Sequence, residues 1–76
     1  MSNRILKSDL EHAANAVSHM LPDGLYVAAQ GRYDYTGLDL YDARGMVKTL
    51  TTGTKREVFR YLSAMAQALE LARVSS

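Results

Sequence analysis

Glycine and proline are confined to one stretch of this chain. Pro22 and the five glycines, at positions 24, 31, 37, 45 and 53, all fall between residues 22 and 53. The segments on either side contain neither. Glycine costs a helix interior about 1 kcal/mol relative to alanine, and proline about 3 kcal/mol. Both punctuate turns. The pattern therefore predicts two helical flanks around a turn-rich middle.

The first flank fits a helix over residues 8–21. Ser8-Asp9-Leu10-Glu11 has the form of a capping box, and Leu10, Ala13, Ala14, Val17 and Leu21 then recur at helical spacing. Pro22 disfavours helix in the residue before it, and Pro22-Asp23-Gly24 reads as a turn. From there the period changes to two. Leu25, Val27 and Ala29 alternate with Tyr26, Ala28 and Gln30, which predicts a strand over 25–30. Thr36, Leu38 and Leu40 alternate with Gly37, Asp39 and Tyr41, which predicts a second over 35–41. Asp42-Ala43-Arg44-Gly45 suits a hairpin loop, and residues 46–51 complete a third, weaker strand.

The last flank opens on a second capping box, Thr54-Lys55-Arg56-Glu57. Val58, Leu62, Met65, Leu69 and Ala72 follow as one stripe, predicting a helix over 55–73. Short connections make neighbouring strands antiparallel. The expected fold is α+β and a single domain over 1–76. Its order is helix, three-stranded antiparallel meander, helix (αβββα), with both helices on one sheet face to close a core.

A chain of 76 residues without cysteine has no disulfide or thiolate-bound zinc to hold it. A domain this short buries only about 60% of the surface its unfolded chain exposes. A second copy of the chain is therefore an expected partner, giving a homodimer. The net charge of +1 demands neither a polyanionic nor a polycationic partner. Residues 1–22 are neutral, residues 23–53 carry −1 and residues 54–76 carry +2. No apolar run has the length a bilayer crossing needs, and the start lacks a signal-peptide core. The expectation is a protein of the cytoplasm that does not engage membranes.

The residues offer little for catalysis. There is no phosphate-cradling glycine loop followed by Lys-Ser or Lys-Thr, and no serine elbow. His12 and His19 share a helix face but lie seven residues apart, about 10 Å along the axis, too far to share one metal ion. Asp34, Asp39 and Asp42 lack the spacing of a calcium loop and read as turn and edge-strand acids. No cofactor, metal or enzymatic activity is expected.

Three surfaces remain. With Leu25, Val27, Leu38 and Leu40 toward the helices, Tyr26 and Tyr41 face away, joined by Val47 and Thr49, while Tyr33 and Tyr35 sit in or beside the first hairpin loop. Tyrosine combines an apolar ring with a polar tip, so such a face is either an interface or ordinary cross-strand pairing. Lys55, Arg56 and Arg60, with Lys48 nearby, form a basic patch at a helix N-terminus, where anions are favoured. Phe59 and Leu71 lie off the main stripe of the last helix and either wrap the core edge or anchor a partner.

Two resemblances follow from these residues. Helix–strand–strand–strand–helix is the element order of the double-stranded-RNA-binding domain. Thr52-Gly53-Thr54-Lys55-Arg56-Glu57, followed by Ala64, Ala66 and Ala68, resembles that family's glycine loop and alanine-rich basic helix. The resemblance implies duplex phosphates at Lys55, Arg56 and Arg60, although Phe59 stands near a further position that the family keeps basic. Gly53-Thr54-Lys55-Arg56-Glu57 with Tyr61-Leu62 is also similar to the ends of small uncharacterised tailed-phage and prophage proteins. That resemblance implies a phage accessory protein in the host cytoplasm that binds and inhibits or modulates a host factor, host defence components included. The expected function is therefore binding of a host protein through Tyr26, Tyr33, Tyr35, Tyr41 and Phe59. The alternatives are nucleic-acid binding through Lys48, Lys55, Arg56 and Arg60, and capture of a small anionic nucleotide at the last helix start.

Overall fold

A computed structural model describes residues 5–31 and 33–75. The order is α1 (Lys7–Met20), β1 (Tyr26–Gly31), β2 (Thr36–Asp42), β3 (Gly45–Gly53) and α2 (Lys55–Ser75). This is the αβββα arrangement, with one antiparallel sheet in the order β1-β2-β3. α1 lies against β1, α2 lies against β3 and β2, and the helices pack on each other.

Each boundary has a local cause. α1 begins one residue before the expected 8–21, and its cap is Leu6 instead of Ser8. The Leu6 N–H donates to Asp9 Oδ2 at 2.9 Å. Leucine offers no acceptor in return, so only the carboxylate half of a capping box forms. The chain leaves α1 through a turn in which the Leu25 N–H donates to the Pro22 carbonyl at 3.1 Å. Gly24 supplies the positive φ of +88° at the third position of that turn. At the β2–β3 hairpin, Asp42 Oδ1 accepts from the Arg44 N–H at 2.8 Å and fixes the two-residue turn. The capping box of α2 is complete. Glu57 Oε1 accepts from the Thr54 N–H at 2.9 Å, and Thr54 Oγ1 accepts from the Glu57 N–H at 3.1 Å. A Cβ on Gly53 would stand 2.7 Å from Glu57 Oε1, so glycine there leaves room for the carboxylate to fold back.

Register follows burial. Val27 pairs with Leu40 and Ala29 with Leu38, which places them on the helix side. Leu10, Ala14 and Val17 of α1, Val27 and Leu38 of the sheet, and Val58 and Leu62 of α2 form the buried core. β3 runs longer than the expected 46–51 because two register shifts, at Leu38/Asp39 and Leu40/Tyr41, set extra β3 residues opposite β2. Bulges of this kind twist an edge strand away from further pairing.

The other edge is closed by α1. Ser18 Oγ accepts from the Val27 N–H at 3.0 Å and donates to the Ala14 carbonyl at 2.8 Å. The molecule measures 38 × 32 × 17 Å, with a radius of gyration of 12.6 Å. A compact chain of this length has a radius of about 11 Å. The excess reflects a flat, two-layer shape.

Candidate interaction surface

The sheet face turned away from the helices carries Tyr26, Ala28 and Gln30 from β1, opposite Tyr41, Asp39 and Gly37 of β2. Tyr26 and Tyr41 face each other directly and stack, with ring centroids 5.1 Å apart and planes 6° from parallel. The Tyr41 hydroxyl accepts a 2.7 Å hydrogen bond from Gln30 Nε2. Gln30 lies four residues along β1 from Tyr26, about 13 Å at strand rise. Tyr41 therefore lies along the sheet, past the Ala28–Asp39 pair between, instead of projecting from it.

That placement helps explain a departure from expectation. Asp39, read as an edge-strand acid, is on the central strand and only 1% exposed. Its Oδ1 accepts from Thr49 Oγ1, directly opposite on β3, at 2.9 Å. No buried side-chain nitrogen or oxygen among the described residues lacks a partner. The buried polar groups of the face are thus satisfied internally.

The apolar part of the face is larger than alternation indicates. Val47 is exposed as expected, and Met46, opposite Tyr41, is 58% exposed. Strict alternation from Thr49 puts Val47 outward and Met46 inward. The shift at Leu40/Tyr41 brings Met46 opposite Tyr41.

The other predicted contact residues lie elsewhere. Tyr33 and Tyr35 are in the β1–β2 connection, Tyr33 fully exposed and Tyr35 partly so. That loop leaves the sheet at Gly31, five residues and about 17 Å of strand from Tyr26. Phe59 is half-buried on α2 and packs against the core, on the helix side of the sheet. The five predicted contact residues therefore fall in three places: sheet face, loop and core edge.

The basic patch is exposed at Lys55, Arg56 and Arg60 in the first two turns of α2. Because β1 and β3 are both antiparallel to β2, α2 starts at the same end of the sheet as the β1–β2 loop. Lys48 is exposed five residues before the end of β3, at a position opposite Leu40. The helix N-terminus already holds an internal anion. The Thr54 backbone N–H, then the Thr54 hydroxyl, lower the Glu57 pKa from its ordinary value, with Arg60 adding a weaker pull.

His12 and His19 are exposed on α1, and no group of three or more His, Asp or Glu comes together to hold a metal ion among the described residues. An open concavity of about 680 Å³ runs along the last turns of α2, lined by Gln67, Glu70, Leu71, Arg73 and Val74. All of these stand on one helix, so the concavity has a single wall and does not enclose a ligand. No helix among the described residues is long and apolar enough to cross a membrane. No protein-family model, curated protein or solved structure matches the chain.

Proposed function

We propose that this chain is a small non-enzymatic binding protein of phage origin that self-associates and engages a host protein. A host defence component is the class of target its resemblance points to, and the host cytoplasm is the expected setting. One observation carries the binding reading: Tyr33, a large amphipathic side chain, stands fully exposed on a three-residue bend with Tyr35 beside it. Tyrosine anchors interfaces at low entropic cost, because few torsions must be fixed. The loop springs from two paired strands, so its base is held while its tip is free to dock.

A photo-reactive side chain at position 33 tests this, with the same group at exposed His12 as control. The expected result is a discrete adduct from host lysate at position 33 alone. Excess unlabelled protein should suppress it, and a Tyr33→Ala, Tyr35→Ala variant should not. Equal labelling at both positions, or equal competition by the variant, overturns the reading.

The second reading is nucleic-acid binding. It is favoured by exposed Lys55, Arg56 and Arg60 at the same end of the sheet as the loop. It expects a mobility shift with duplex that weakens steeply as salt rises and is lost in Lys55→Glu, Arg56→Glu. No shift at low salt removes it. The same patch carries the small-nucleotide reading, against which the Glu57 carboxylate competes for the helix N-terminus.

A further inference from the structure

We infer that the Tyr33–Tyr35 loop and the basic start of α2 form one composite docking surface, and that it fits an acidic face of a folded partner protein. The inference rests on the binding reading above and gives that partner its chemistry.

Pairing across the sheet brings the two parts together. Thr36 lies opposite Gly31 on one side and opposite Gly53 on the other. The loop joins the first two residues of this row, and α2 follows the third. Antiparallel partners stand about 5 Å apart by Cα. Tyr35 is one residue from Thr36 and Lys55 is two from Gly53, so their Cα atoms lie within about 17 Å of each other. By the same count Tyr33 lies within about 25 Å of Lys55. One partner's share of a standard interface, roughly 800 Å², is about 30 Å across. A single partner therefore spans both parts.

Charge names the kind of partner. Lys55, Arg56 and Arg60 are all exposed beside the loop. Arg56 and Arg60, four residues apart, share one helix face. The Glu57 carboxylate does not close this patch. It is turned back to the Thr54 N–H at 2.9 Å, and Arg60 is the weakest influence on it. Carboxylates on a partner complete these cations and also accept from the tyrosine hydroxyls. The two rings supply apolar area between the charges.

Nucleic acid fits the same cations less well. Asp34 is exposed between Tyr33 and Tyr35. A strand stacked on both rings carries its phosphates past that carboxylate. A net charge of +1 supplies no wider positive field to offset the repulsion. A protein surface sets a donor against Asp34 among its own acids.

The test uses the position-33 photo-adduct described above, formed in host lysate with and without nuclease. Unlabelled chains compete, and far-UV circular dichroism establishes their folding. Lys55→Glu, Arg60→Glu should need roughly tenfold more protein than wild type for half-suppression. Arg44→Glu, Arg73→Glu makes the same change in net charge at the hairpin and the far end of α2, and should stay within about twofold of wild type. If the first pair does not fold, Lys55→Glu is read against Arg44→Glu. Mass spectrometry of the adduct should place the cross-link in a partner segment richer in Asp and Glu than in Lys and Arg. No adduct at position 33 under either condition overturns the binding reading and this inference with it. An adduct that both pairs suppress equally, or a cross-link in a basic segment, overturns the acidic partner alone. An adduct that nuclease abolishes assigns the surface to nucleic acid and overturns the acidic protein.

Discussion

The two pairs of tyrosines in the middle of this chain occupy opposite physical states. Tyr26 and Tyr41 lie 15 positions apart in sequence yet stack at 5.1 Å, one of them hydrogen-bonded to Gln30. Tyr33 and Tyr35 are near neighbours in sequence, and the Tyr33 side chain is wholly in solvent. The sheet pair has already lost its rotamer freedom on folding, so covering it needs no further ordering. The loop pair keeps that freedom and loses it on docking, at about 0.5–1.5 kcal/mol per immobilised side chain. The ordered pair is a surface already fixed on folding, and the free pair is one that must be fixed by whatever docks on it.

Both pairs rest on one scaffold, and removing it should have the largest effect. Leu38 is fully buried in β2, the strand that carries Tyr41 and receives the loop from Tyr35. Leu38→Ala should destabilise the fold by about 2–5 kcal/mol. Chemical denaturation will show this as a lower midpoint. In a domain this small the loss should loosen the stack and the paired base of the loop together. A variant that keeps wild-type stability would mean the sheet does not depend on this side chain.

Smaller and unequal effects are expected when each region loses one polar or aromatic group. Asp39→Ala strips Thr49 of its partner beneath the tyrosine face and should cost about 1–3 kcal/mol. Tyr33→Ala removes a side chain that touches nothing in the folded chain, and should stay within about 0.5 kcal/mol of wild type. Equal losses in denaturant titrations would refute the distinction between the regions. Tyr41→Phe keeps the stack and removes only the hydroxyl that Gln30 reaches. It should cost about 0.5–1.5 kcal/mol, and the Gln30 side-chain amide resonances should move toward solvent values.

The sequence reveals these two regions unequally. Element order is readable because glycine and proline avoid both flanks and because Thr54 and Glu57 form a complete box. The start of α1 is less so: Ser8-Asp9-Leu10-Glu11 has the letters of a box, but Asp9 serves the Leu6 N–H instead. The exposure of Tyr33 follows from its place in a turn segment. The state of Asp39 does not, because its Thr49 partner stands 10 positions away on β3, beside a register shift that alternation does not reveal. β3 hides its register for a related reason. Met46-Val47-Lys48-Thr49-Leu50-Thr51 places apolar residues at both parities, so alternation gives no face, and only pairing with β2 reveals the two shifts.

The smallest expected effect separates the two ends of the sheet by pH. The Glu57 carboxylate is exposed, and its pKa is lowered because the charged form accepts from the Thr54 N–H and hydroxyl. A lowered folded value means that the carboxylate's contribution is fully present above the ordinary carboxylate range. It is lost as pH falls through the folded value. Glu57→Gln keeps an acceptor for the Thr54 N–H but cannot titrate. Wild type should therefore melt slightly above the variant at neutral pH, and the gap should close on acidification. Residue-resolved spectra locate the change. The Thr54 and Glu57 amides at the start of α2 should shift with acid, while the Tyr26–Tyr41 stack at the other end of the sheet stays fixed. If the stack moves with the same midpoint, the two ends are one cooperative unit, and the separation drawn between the tyrosine pairs is wrong.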